Sequence, residues 1–111
     1  MKKQIANNRG VRVASNIRKT VAEIFRDRFA DDAVLSRVSI VDADSGLQFI
    51  KIYYHAPLDI KGLREKLEFV TPIVRHELAA RIRQKYVPEI RFVYDDTLEK
   101  SERIDELLRS I

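Results

Sequence analysis

Cysteine and tryptophan are absent from this chain of 111 residues, and glycine and proline number three each. Without cysteine there are no disulfides, thiolate nucleophiles or Cys-ligated zinc sites, which suits a reducing compartment. His55 and His76 are the only imidazoles and fall on separate elements, so no metal or other cofactor is expected. The phosphate loop G-x-x-x-x-G-K-[ST], the dinucleotide loop G-x-G-x-x-G and the nucleophile elbow G-x-S-x-G are all missing. Asp42 with Asp44 and Asp95 with Asp96 are paired carboxylates, but they stand where turns and helix caps favour Asp, so no catalytic residue is assigned and an enzyme is not expected. No segment approaches the roughly 20 apolar residues of a membrane span, and no apolar stretch follows Met1-Lys2-Lys3 as a signal peptide requires. The expectation is a soluble, cytoplasmic protein with no membrane partner.

What is present suffices for one packed core: 45% of residues are hydrophobic and 34% charged. The charge is segregated. Met1 to Arg28 carries eight bases against Glu23 and Asp27, and Lys61 to Pro88 carries seven against Glu65, Glu68 and Glu77. From Asp95 onward six acids outnumber three bases. Basic segments set apart in this way suit a polyanion, because neutralising phosphates releases counterions and supplies affinity without reading sequence.

Apolar spacing gives the elements. Val13, Ile17, Val21, Ile24 and Phe25 recur at three and four, which predicts an amphipathic helix capped by Asn7 or Asn8 and ended at Asp31-Asp32. Arg37 to Ile40 alternates and predicts a strand that buries Val38 and Ile40. Asp42 to Gly46 is dense in turn formers, with Gly46 free to take a positive φ, and Leu47 to His55 resumes as a second strand. Within it Ile50, Ile52 and Tyr54 are expected in the core and Phe49, Lys51, Tyr53 and His55 on the other face. Asp59 is placed to cap a helix carrying Leu63, Leu67 and Val70. Pro72 is expected to kink that helix or to start another, with Thr71 as N-cap and Val74, Leu78 and Ile82 buried up to Pro88. Ile90, Phe92 and Tyr94 alternate as a third strand. Asp96 and Glu99 resemble a capping box for a tail helix with Ile104, Leu107, Leu108 and Ile111 on one stripe. The class is α+β, with helices on one face of a three-stranded sheet.

Arg12, Arg18 and Lys19 on the first helix and Arg75, Arg81, Arg83 and Lys85 after Pro72 are candidate phosphate ligands, expected to converge into one stripe. Phe49 and Tyr53 on the open sheet face are candidates for stacking or for a partner surface.

The order of elements and the run from Ile73 to Leu108 resemble the ribosome-binding factor A family. R-x-x-L, P-E-[LI]-x-F, an acidic turn and R-I-x-x-L-L appear there as Arg75 to Leu78, Pro88 to Phe92, Asp95-Asp96 and Arg103 to Leu108. Arg12-Val13, Ile17-Arg18 and Ile24 resemble the family's opening helix, and Lys51-Ile52-Tyr53 its second strand. Val70-Thr71-Pro72 replaces the usual Ala-x-Gly. The resemblance implies a KH-like (type II) fold of order αββααβ with helix-kink-helix and no G-x-x-G loop. It divides the chain into an RNA-binding domain, residues 1–96, and a C-terminal amphipathic tail, residues 97–111. The basic charge of the two helical segments gives the candidate RNA-binding set Arg9, Arg12, Arg18, Lys19, Arg75, Arg81, Arg83 and Lys85. The resemblance also implies a monomer that binds free immature small ribosomal subunits through their rRNA, aids late assembly and precursor processing, and meets a maturation GTPase. A non-enzymatic protein-interaction adaptor working through the open sheet face is the other reading.

Overall fold

The computed structural model describes residues 2–46, 48–57, 59–84 and 86–110, with side chains in the first helix described from Val13 onward. Leu47 and Ile111, expected in the second strand and the tail stripe, lie outside the described residues. In chain order the elements are α1 (Lys2–Phe29), a 3₁₀ turn (Leu35–Arg37), β1 (Ser39–Ser45), β2 (Phe49–His55), α2 (Leu63–Ile82), β3 (Glu89–Tyr94) and α3 (Thr97–Arg109). The sheet order is β1-β2-β3, with β1 antiparallel and β3 parallel to β2. A parallel pair needs a crossover, and α2 supplies it.

Alternation along β2 follows the sequence pattern, whereas in β3 Ile90 alone is buried and Phe92 and Tyr94 pack only partly buried against the core. Ile50, Ile52, Tyr54 and Ile90 are buried, while Phe49, Lys51, Tyr53 and His55 are half-exposed on the opposite face. The buried face joins Ile17, Val21, Ile24 and Phe25 of α1 and Leu63, Leu67, Val70, Val74 and Leu78 of α2 in one cluster. Phe25, Phe92, Tyr54 and Tyr94 continue it as edge-to-face aromatic pairs.

Local chemistry departs from expectation at several places. Asn7 and Asn8 lie inside α1 instead of capping it. β1 starts at Ser39 and runs through Asp42 to Ser45, the residues expected to turn. A register shift between Ile40 and Asp42 leaves Val41 as an exposed extra residue and brings Asp42 and Asp44 opposite Tyr53 and Lys51. Ala43 is therefore the buried residue of β1, and Val38 and Ile40 are only partly buried. Gly46 does not use a positive φ. It is needed for closeness, since a Cβ there would stand 2.8 Å from the Phe49 carbonyl oxygen.

Asp59 does not cap α2; Gly62 holds the N-cap position with φ 73°. Pro72 was expected to kink the helix or to start another, and no second helix starts there: one continuous helix is found, with Pro72 inside it. Leu67, Val70, Val74 and Leu78 anchor both halves to one core, whereas Pro72 faces solvent, where the Glu68 carbonyl that lacks its donor is open to hydration. Thr71 is not an N-cap; its Oγ1 donates to the Leu67 carbonyl at 2.6 Å. The helix ends at Ile82, well before Pro88, because Arg83 turns left-handed (φ 57°, ψ 45°) with its N–H on the Ala79 carbonyl. Asp96 sits at the α3 N-cap without a side-chain bond, and Asp95 accepts from the Thr97 N–H in its place. The Thr97 hydroxyl also donates to Asp95 and holds its carboxyl below the usual range.

Two ties brace the helices. Asp32 Oδ1 accepts from the N–H groups of Val34 and Leu35, both at 2.9 Å, and Oδ2 meets Lys66 Nζ at 2.6 Å. Lys66 foremost, then these amides, hold the Asp32 carboxyl down at about 2, from 3.8. Arg75 donates from Nε (3.0 Å) and Nη2 (2.7 Å) to the Val87 carbonyl, closing the α2–β3 connection.

A folded-state pKa below the unfolded one stabilises above the unfolded value and is lost as pH falls through the folded one. Asp32→Asn is therefore expected to lower the thermal midpoint at neutral pH, and its deficit against wild type should shrink between about pH 5 and about pH 2. A deficit independent of pH would contradict this. Arg75→Ala leaves the Val87 carbonyl without its donors and is expected to reduce unfolding free energy by about 1–3 kcal/mol in denaturant titration. Lys19→Ala, on an exposed face, should stay within about 0.5 kcal/mol.

Candidate nucleic-acid interface

Successive ion pairs fix how the two long helices run. Asp27 meets Arg81 at 2.9 Å, Arg28 meets Glu77 at 3.0 Å, and Asp32, just past α1, meets Lys66. Numbers rise along one helix as they fall along the other, so α1 and α2 are antiparallel. The Asp27–Arg81 pair sets the last turn of α2 beside the last turn of α1, and the antiparallel sense carries the preceding turns of α1, with Arg18 and Lys19, onward past that end of α2. The same end carries the β1–β2 hairpin, because the α2–β3 connection returns to Glu89, the register partner of Phe49. α3 departs from the opposite end of the sheet, beyond Tyr94.

The sequence candidates divide on this frame. Lys19 is exposed and Arg18 half-buried on α1, and Arg83 is exposed at the end of α2. None of the three makes an ion pair or side-chain hydrogen bond with another described residue. Arg81 is held between Asp27 and Glu77, and Arg75 is bound to the Val87 carbonyl, so both serve the packing of α2. The side chains of Arg9 and Arg12, and the whole of Lys85, lie outside the described residues.

A single stripe through all of them does not form. Arg18 precedes Asp27, where Arg81 docks, by nine residues or about two and a half turns, which is the opposite flank of α1. Arg75 faces β3, whereas Arg81 faces α1. What is shared is the end of the molecule. Arg26 was not singled out in the sequence, although it stands seven residues after Lys19 on the same outward face, and Arg12 stands seven before. The seven-residue spacing was the signal that could have found it. Arg26 approaches only its neighbour Asp27, at 3.9 Å with both exposed, a contact of little energy.

The open sheet face carries a second group. Phe49 lies under Arg91, whose guanidinium carbon stands 4.1 Å from the ring centroid, and Lys51 Nζ is 5.8 Å from it. Lys51 and Arg91 are direct register partners across β2 and β3. Arg91 was not a sequence candidate, since only the parallel pairing brings it to Phe49. At the other end of the sheet Glu99 Oε1 accepts from the Tyr94 hydroxyl and lies 3.3 Å from His55 Nε2. Glu99 is thus turned away from the expected capping box. This hydrogen bond lifts the Tyr94 hydroxyl to about 12 and lowers the Glu99 carboxyl. Leu98, Ile104, Leu107 and Leu108 of α3 are all exposed, and α3 buries no described residue.

Among the described residues no three of His, Asp and Glu converge as metal ligands, and no helix is long and apolar enough to cross a membrane. A cleft of about 510 Å³ between α2 and β3 is lined by Arg64, Glu68, Thr71 and the residues of β3.

The fold matches solved structures. A crystal structure of ribosome-binding factor A from Thermus thermophilus superposes with a TM-score of 0.67 over 77% of this chain and 94% of that one, at 16% identity. A homology model of the Thermus thermophilus factor, fitted into a cryo-EM map of a 30S complex, gives 0.61 over 74% of this chain and 90% of that one, at 15% identity. Those identities speak for fold alone. In sequence, ribosome-binding factor A of Methylobacillus flagellatus is 31% identical over 103 residues, covering 91% of this chain and 82% of that protein. The Limosilactobacillus reuteri protein of the same name is 35% identical over 90% of this chain and 88% of its own length. The family model described as ribosome-binding factor A matches residues 9–108. With a match of that extent, and relatives of this identity along nearly the whole chain, the protein belongs to the ribosome-binding factor A family.

Proposed function

We propose that this chain is a small-subunit assembly factor: it binds free, immature small ribosomal subunits through their rRNA, aids late assembly and processing of the rRNA precursor, and is released with a maturation GTPase. It acts as a cytoplasmic monomer and performs no chemistry on the RNA. The relatives' name and the 30S complex of the Thermus factor support the partner. The observation that carries the reading is the antiparallel seating of α1 on α2, which gathers two basic segments at one end of the domain. Lys19, Arg26, Arg18 and Arg83 are the described cations available there for phosphates, with Arg9, Arg12 and Lys85 adjoining them in sequence. Arg75 and Arg81 support the surface through packing.

Arg83 gives the sharpest test. A left-handed conformation disfavours any residue with a Cβ by about 1–2 kcal/mol, and glycine is the usual occupant at a helix end. The Arg83 side chain is exposed and forms no ion pair with a described acid, which leaves its charge open to a phosphate. Arg83→Gly is expected to raise the thermal midpoint and yet weaken co-sedimentation with immature small subunits, lowering the salt slope of binding by about one unit. Binding that is indifferent to salt, or unaffected in this variant, would contradict phosphate contact.

The division at residue 96 is part of the same reading. Since α3 buries no described residue, a chain ending after Asp96 is expected to unfold within a few degrees of the full chain in a thermal melt. A cooperative loss of structure on truncation would show that the tail completes the core.

A further inference from the structure

We infer that the open sheet face at the hairpin end, built on Phe49, Lys51 and Arg91, is a second nucleic-acid site that takes one unpaired nucleotide of a single-stranded RNA segment, its base on the Phe49 ring and its phosphate between the two cations. The inference rests on the RNA-binding reading above and deepens it.

Three observations support it. Lys51 and Arg91 stand directly opposite each other on neighbouring strands, an arrangement of like charges that weakens a sheet unless an anion shares it. The opposing acids do not neutralise it: Asp44, the register partner of Lys51 on β1, forms no ion pair with it, and Glu89 reaches Arg91 only at 3.9 Å with both side chains exposed. The ring, moreover, is already a stacking surface. Arg91 lies on it at 4.1 Å, and an exposed guanidinium can yield that place to a base while keeping its N–H donors for the attached phosphate.

Position ties this group to the basic end of the helix pair. Phe49 and Glu89 begin β2 and β3 where α2 finishes, so a strand leaving the α1–α2 surface reaches Phe49 around the hairpin. On the β1 side Asp42 and Asp44 border the site and repel a backbone, which directs it toward β3. A duplex presents no free base face and does not fit this arrangement.

The chain has no tryptophan, so Phe49→Trp introduces a unique indole. Its emission is expected to be quenched, saturably, by an unstructured oligoribonucleotide of mixed A and C, and not by a duplex of the same length. In the otherwise native chain Phe49→Leu should weaken binding of that oligomer about tenfold, as loss of one stacked base predicts, and Arg91→Lys should weaken it less. Binding of the oligomer with no change in indole emission, or unchanged affinity in Phe49→Leu, would overturn the sheet site and leave the helix surface standing. Equal quenching by the duplex would also overturn it. Failure of the native chain to bind both the oligomer and small subunits would remove the RNA-binding reading itself.

Discussion

The parallel pairing of β2 with β3 is the constraint on which the rest depends. It obliges the chain to travel back along the full sheet between the two strands, and α2 makes that return. Once α2 lies on the sheet, its apolar stripe and that of α1 close the core together, and the ion pairs from Asp27 to Lys66 select the antiparallel arrangement. The same geometry decides which residues meet at each end of the molecule. One end receives the hairpin and the end of α2, which sits beside the last turns of α1, and the other receives the acidic tail helix.

Charge in this protein is consequently divided between two tasks. Arg28, Lys66, Arg75 and Arg81 are partnered by carboxylates or a carbonyl and hold α2 in place. Lys19, Arg26, Arg83 and Arg91 are exposed, with only loose contacts or none to described acids. Count and composition treat both groups alike. A basic stretch in a sequence is therefore an upper bound on the cations available to a ligand, because the fold draws on the same side chains.

The amphipathic periods of α1, α2 and β2 were readable in advance, since burial of a stripe follows from the spacing of side chains about a helix or strand. Boundaries were less so. Pro72 was expected to kink α2 or to start another helix, and packing on both sides of it kept the helix continuous despite the loss of one donor. Arg83 ended the helix early in a conformation that its residue type does not advertise. Asp42 and Asp44 read as turn formers, yet the bulge at Val41 kept them in strand. Strand pairing decided the outcome at Asp42 and Asp44 and core packing that at Pro72, while the turn at Arg83 closes on the nearby Ala79 carbonyl.

The chain's own order of residues established the α+β class, the core faces of α1, α2 and β2, the small number of imidazoles and the lack of thiols, and the family resemblance, because those depend on composition and on periods within one element. The tertiary structure alone decided that Arg81 and Arg75 are braces, that Arg18 and Arg81 lie on opposite flanks of α1, and that Arg91 lies over Phe49. Each of these relations joins residues on different elements, and their separation in space is set by the strand pairing and the helix packing.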